Sequence, residues 1–215
     1  MSGVEKAAPA RRTRLPAEKR RESILDAATE VFAVAGYRAA KVSDVAARIG
    51  VSEPVIFQNF GSKEALYAAV LDRVAHGIRA ELHALAGQHG SAADLLAHVL
   101  SPRRGSGPHG PGPRGPGEHG ALLTDAATLL ADPDLTEAAK GTARILAGHL
   151  ADLLRRGQAD GSIRAGADPE AAAWMLLSVL SARPWRAAVM PGPGRLEGDV
   201  ADLALQALVP PGKQT

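Results

Sequence analysis

From Lys41 to Phe60 the chain reads KVSDVAARIGVSEPVIFQNF. Two short helical patterns meet at one glycine here, and no other stretch constrains the fold as tightly. Val42, Val45, Ala46 and Ile49 recur at helical spacing and direct one apolar face inward. Gly50-Val51 makes a tight turn. Ser52 is placed to cap the next helix, because its hydroxyl can accept from the free N–H groups of a first turn. Pro54 falls inside that turn, where its missing N–H is no loss. The second helix has room for only about two turns before Asn59-Phe60-Gly61.

The flanks are helical as well. Ile24, Ala27, Ala28, Val31, Phe32 and Ala35 line one face of a helix that starts at Pro16 and closes at Gly36. Ser62 caps a fourth helix, with Leu66, Val70, Leu71, Val74 and Ile78 at helical spacing. Further helices are expected at 91–100, 119–131, 134–158, 168–189 and 196–208, their starts signalled by Ser91, Asp134 and Asp168-Pro169. Nothing alternates with period two, so the fold class is all-α. Only Trp174 and Trp185 among the seven aromatics lie beyond residue 67, so the later helices must pack with Leu, Ala, Val and Ile.

Two stretches lack a period. Residues 1–15 read as a disordered basic arm. Residues 101–120 hold seven Gly and five Pro, a composition that cannot bury apolar surface and reads as a flexible loop. That loop is either a lid or a tolerated insertion, since closure entropy grows slowly with length. With no cysteine, disulfides and thiolate chemistry are excluded. The longest apolar stretch, Ala171 to Ala182, is too short for the roughly 20 residues of a membrane span, so a soluble, cytoplasmic chain is expected.

A short helix, a glycine turn and a second short helix form the helix-turn-helix pattern, whose second helix enters the DNA major groove. Ala46 is small enough for the two helices to approach closely. Val55 and Ile56 can anchor the second helix, leaving Ser52, Glu53, Phe57, Gln58 and Asn59 to face outward. Phe57 has an alternative place in the core. Charge points the same way. Residues 1–63 carry 11 Lys+Arg against 7 Asp+Glu, whereas residues 64–215 carry 14 against 16. A basic first third suits a polyanion, although a solvated basic tail would look the same.

Three joined blocks resemble the DNA-binding domain of TetR-type transcriptional regulators. They are the Ala-Ala…Phe helix ending in Ala35-Gly36-Tyr37, the Val45-Ala-Ala-Arg-Ile-Gly-Val-Ser52 turn, and Phe60-Gly-Ser-Lys-Glu-Ala-Leu66. A weaker echo, in Arg155-Arg156-Gly-Gln-Ala-Asp-Gly-Ser-Ile-Arg164 and Asp168-Pro-Glu-Ala-Ala-Ala173, resembles the turn between the last long helices of that family's regulatory domain. The resemblance implies a three-helix DNA-binding domain over 16–62 and a helical ligand-binding and dimerisation domain over 63–210. It implies a homodimer on a palindromic double-stranded operator, with recognition helices about 34–36 Å apart. It also implies a repressor that an unknown small-molecule effector releases.

The same resemblance assigns DNA contact to Lys41, Ser43, Ser52, Glu53, Pro54, Phe57, Gln58, Asn59 and Lys63. Lys63, at a helix N-terminus, would meet a phosphate. Phe60 would be a core aromatic. Two positions depart from the family. Lys41 stands where a capping Thr is usual, and Phe57 where a Tyr is usual, so a phosphate-contacting hydroxyl is lost at each. Phe57 retains apolar contact with a thymine methyl, Gln58 can read adenine, Ser52 suits base or phosphate, and Glu53 can accept from cytosine. Arg11, Arg12 and Arg14 of the arm either reach the DNA or are idle. The dimer contact is expected on Leu176, Leu177, Val179, Leu180, Leu203, Leu205 and Leu208, and a ligand pocket at Trp174 and Met175.

No catalytic or metal site is expected. His76 and His83 share a helix face but lack a carboxylate at metal-binding spacing. There is no phosphate-cradling loop and no GxSxG elbow, and no cofactor is implied. The competing readings are a helical interaction protein that binds nucleic acid non-specifically, and a ligand-binding protein that has lost regulated DNA binding.

Overall fold

The structure, a computed structural model, describes residues 16–87, 90–101, 116–129, 131–190 and 193–211. The helices are α1 (Ala17–Ala39), α2 (Val42–Ile49), α3 (Glu53–Phe60), α4 (Lys63–Ala86), α5 (Ala92–Leu100), α6 (Pro116–Thr128), α7 (Thr136–Ala159), α8 (Pro169–Ser181), α9 (Arg183–Val189) and α10 (Pro193–Gln206). Among the described residues there is no strand. None of their helices is long and apolar enough to cross a membrane.

Local signals set most of the ends. The Ser62 and Ser91 hydroxyls accept from Ala65 N and Asp94 N, and the Asp168 carboxylate accepts from Ala171 N at 2.7 Å. Gly50 takes φ 67°, ψ 36° and closes α2. Gly36, at φ 69°, ψ 166°, interrupts α1 three residues before its end. Both conformations favour glycine, because a Cβ would clash with the adjoining peptide.

Four boundaries differ from expectation. Ser52 sits at the N-cap of α3, but its hydroxyl makes no cap hydrogen bond. Helix α7 starts at Thr136 rather than Asp134, with Leu135 as its N-cap. Helix α6 reaches back to Pro116 and takes in the last residues of the Gly/Pro-rich stretch, while 102–115 lie outside the described residues. The expected helix over 168–189 is two helices that meet at Ala182. Pro184 is the physical reason: it has no N–H to donate back to Leu180, so the ladder cannot continue.

Two apolar cores organise the chain. The first gathers Ile24, Phe32, Val45, Ile56, Phe60, Leu66 and Tyr67 from α1 to α4, with Leu122, Ala126 and Leu129 around α6 and Leu135 and Ala139 around the start of α7. The second joins Leu95, Leu96 and Leu100 of α5 to Leu150, Ala151, Leu153 and Leu154 of α7, Ala173 and Leu176 of α8, and Ala201, Ala204 and Leu208 around α10. Helices α4 and α7 span both. Each runs about 36 Å from the first core toward the second and could carry a displacement between them.

Candidate nucleic-acid interface

The helix-turn-helix is held from beneath. Val45 and Ala46 of α2 and Ile56 of α3 are buried in the first core. Val51 N donates to Ala46 O at 3.0 Å across the turn. Phe60 closes the end of α3, 9% exposed. Ser52, Glu53, Pro54 and Gln58 face solvent, and Phe57 joins them at 40% exposed, which removes its core alternative. Positions 53, 54, 57 and 58 lie one helical turn apart in pairs and so form a single outward face. That face offers a carboxylate, an apolar ring and an amide. It is the combination that base edges in a major groove can discriminate.

Lys41 is exposed beside this face and Ser43 is half-buried. Lys41 makes no side-chain cap, as expected of a cation in a capping position. Asn59 departs from expectation. Its amide nitrogen donates to Val55 O at 2.7 Å, so the side chain is folded back along α3 rather than pointing outward. Lys63 places Nζ 4.5 Å above the Tyr37 ring. The Tyr37 hydroxyl donates to Glu64 Oε1 at 2.7 Å. Glu64 is held below the ordinary carboxylate range by its own backbone N–H and by that hydroxyl, so it stays ionised at the foot of α4. Burial, and then Glu64, push the Tyr37 hydroxyl well up, so it stays a neutral donor. An aromatic shelf thus carries the Lys63 cation at the start of α4, three residues after α3 ends.

Three supports were not anticipated. Arg21 stacks on Phe60 and donates to Asn59 O. Arg48 pairs with Glu30 at 2.6 Å and ties α2 to α1. Asp125 of α6 bonds the backbone just after Gly36. Lys19-Arg20-Arg21 is a run of charge in the sequence, but spacing along a chain does not reveal a partner 38 residues away. Arg11, Arg12 and Arg14 lie outside the described residues.

The expected contacts elsewhere divide. Leu176 and Leu208 are buried inside the subunit and are core, not contact surface, because the second core closes over them. Leu177, Val179, Leu180 and Leu205 are half-buried against that core. Leu203 is 65% exposed. Trp174 and Met175, expected at a ligand pocket, are 47% and 36% exposed. With Trp185, Val189 and Met190 they leave an exposed apolar set on α8, α9 and α10.

The fold and this interface define an all-α helix-turn-helix protein. Residues 24–70 match the family described as bacterial regulatory proteins, tetR family. The chain is similar to the HTH-type transcriptional activator FasR of Mycolicibacterium smegmatis, 52% identical over 63 residues, 29% of each chain. It is similar also to the HTH-type transcriptional repressor Rv3405c of Mycobacterium tuberculosis, 38% identical over 78 residues, 36% of this chain and 39% of that one. The matches thus span well under half of either relative. A transcriptional regulator from Saccharomonospora viridis, solved in complex with choline, shares the fold over most of the length. Its TM-score is 0.71 at 19% identity, covering 90% of this chain and 99% of that one.

Proposed function

We propose that the protein is a site-specific DNA-binding transcriptional regulator: a homodimer that reads a palindromic operator and is released by a small-molecule effector, acting as a repressor in the cytoplasm. The observation that carries this reading is the outward face of α3, with Glu53, Phe57 and Gln58 presented on a helix whose other side is locked into the first core. Residues 16–62 form the DNA-binding part and 63–210 the regulatory part. Ser52, Glu53, Pro54, Phe57 and Gln58 meet the bases. Lys41, Ser43 and Lys63 meet the backbone. Asn59 helps from its back-bonded position by shaping the end of α3.

The exposed apolar residues of α8 to α10 support the dimer. Trp174, Met175, Trp185 and Leu203 are large side chains left in water by the subunit alone, and a second copy would cover them. The effector is an organic small molecule, taken up between α4 and the helices that follow. It regulates only insofar as it binds one spacing of the recognition helices better than the other.

The test is selection of genomic fragments with purified protein, then titration of the enriched fragment against scrambled DNA at physiological salt. A palindromic winner favoured about 10³-fold or more is expected, with binding weakened by Lys63→Ala. Equal affinity for the scramble would overturn the reading in favour of a non-specific nucleic-acid binder.

A further inference from the structure

We propose that Asp125 is a positioning residue for DNA recognition, the pin by which α6 sets the attitude of the helix-turn-helix on the rest of the subunit. The proposal rests on the DNA-binding reading above.

One carboxylate oxygen holds a junction of helices. Asp125 Oδ2 accepts from the backbone N–H of Tyr37 at 2.8 Å and from the Tyr67 hydroxyl at 2.6 Å. Tyr37 is the first residue after the break at Gly36, in the last residues of α1 before the chain passes to α2. Tyr67 is fully buried on α4. The other oxygen, Oδ1, lies 2.8 Å from where a Cβ at position 36 would stand. Gly36 is therefore required twice, by its backbone angles and by the carboxylate that enters beside it.

The rest of the α6 contact is of another kind. Leu122, Ala126 and Leu129 pack into the first core by apolar contact alone. Apolar contact is non-directional and tolerates sliding. Hydrogen bonds to a carboxylate are short and directional. The apolar face thus holds α6 against α1 and α4, and Asp125 fixes where along them it sits.

The junction leads in two directions. Tyr37 is held by Asp125 through its backbone, and its ring lies beneath Lys63 and bonds Glu64. A displacement of α6 reaches the Lys63 cation through Tyr37, and the helix that Lys63 opens through Tyr67. On the far side, Thr124 Oγ1 shares its one proton between Gly120 O at 2.9 Å and Ser181 O at 3.3 Å, the latter where α8 ends and α9 begins. Helix α6 therefore touches both α1 and α4, which carry the helix-turn-helix, and the helices with the exposed tryptophans. A shift at either end changes the spacing of two recognition helices in a dimer only if the Asp125 bonds hold.

The experiment uses the full chain, the DNA fragment that the wild type selects, and a scrambled control. Wild type, Asp125→Ala, Asp125→Asn and Tyr67→Phe are compared at a temperature well below the melting point of each. The ratio of affinities for selected over scrambled DNA falls about tenfold in Asp125→Ala, the scale of one lost base contact. Scrambled binding and the salt slope stay as in the wild type, since no phosphate contact is removed. Asp125→Asn recovers most of the ratio, because its amide oxygen still accepts from Tyr37 N. Tyr67→Phe, which keeps the ring and loses only the hydroxyl, falls between them and decides the matter if Asp125→Ala does not fold. An unchanged ratio with a lowered melting temperature would make Asp125 structural and overturn the proposal alone. A wild type with no preference would overturn the DNA-binding reading and the proposal with it.

Discussion

Arg21 lays its guanidinium carbon 4.1 Å above the centre of the Phe60 ring, and its Nη1 donates to Asn59 O at 2.8 Å. A cation from α1 thus closes the C-terminal end of α3, where carbonyls lack partners and the helix dipole is negative. Arg21→Ala is expected to weaken binding to the selected DNA by about 3–10-fold, since exposed stacking of this kind stabilises by about 0.5–1 kcal/mol and the lost hydrogen bond adds to it. The slope of log affinity against log salt should not change. A slope shallower by about 0.9 would show that Arg21 contacts phosphate instead.

Lys63 and Gln58 should fail differently. Lys63→Ala removes a mobile cation and weakens selected and scrambled DNA alike, with the salt slope reduced by about 0.9. Gln58→Ala removes a base-edge amide and acts on selected DNA only, by about 1–3 kcal/mol. Paired titrations at several salt concentrations separate the two. Uniform weakening by Gln58→Ala would remove that residue from base readout.

Gly157, buried in α7, tests packing against propensity. Alanine in a helix interior ordinarily gains about 1 kcal/mol over glycine. Here a Cβ would meet Ala92 Cβ at 2.9 Å and would come closer still to Ile163 Cγ1. Overpacking of that kind destabilises by about 1–3 kcal/mol, so the contact outweighs the propensity. Gly157→Ala should lower the urea midpoint. A raised midpoint would mean that the α5–α7 contact gives way at little cost.

Glu197 gives the fold an acid limit. It is 6% exposed, and Arg186 holds it through Nε at 2.5 Å and Nη2 at 3.0 Å. These bonds, with Arg183 nearby, keep its carboxyl below the ordinary glutamate value despite burial. A depressed folded pKa favours the ionised form in the native state. Its contribution is therefore full above the unfolded value of about 4.3 and is lost as pH falls through the folded one. Stability should be flat in this respect from pH 7 to about 5 and should decline below about 4. Glu197→Gln leaves two guanidinium groups without their carboxylate and should cost about 3 kcal/mol at pH 7. It should also flatten the acid side of the curve, as read by chemical denaturation across pH.

Leu203 and Leu176 share an apolar character and should behave oppositely. Leu203 is exposed and Leu176 fully buried. Leu203→Asp should leave the melting temperature of the subunit nearly unchanged and shift sedimentation from dimer toward monomer. Leu176→Asp should abolish folding, because a carboxylate would be buried without a partner. A dimer unaffected by Leu203→Asp would place the interface elsewhere.

Much of this molecule is local. The helix period, the caps at Ser62, Ser91 and Asp168 and the closing glycines at 36 and 50 act within one or two turns. They are legible in sequence because their energies depend on neighbours along the chain. The break at Ala182 also has a local mark, Pro184, which the expectation of a single helix over 168–189 passed over. Ser52 shows the limit of such signals: a residue suited to capping occupies the cap and makes no bond.

The sequence by itself determined the all-helical class, the order of most of the helices and the helix-turn-helix with its outward candidates. Tertiary structure alone decided which side of each helix faces protein. It buried Leu176 and left Leu203 in water, turned Phe57 outward, folded Asn59 back on Val55, and packed α6 against α1 rather than leaving it with the later helices. Those outcomes follow from contacts between distant segments, such as Tyr37 with Asp125 at a separation of 88 residues. Periodicity sets which residues share a face, but only packing chooses what that face meets.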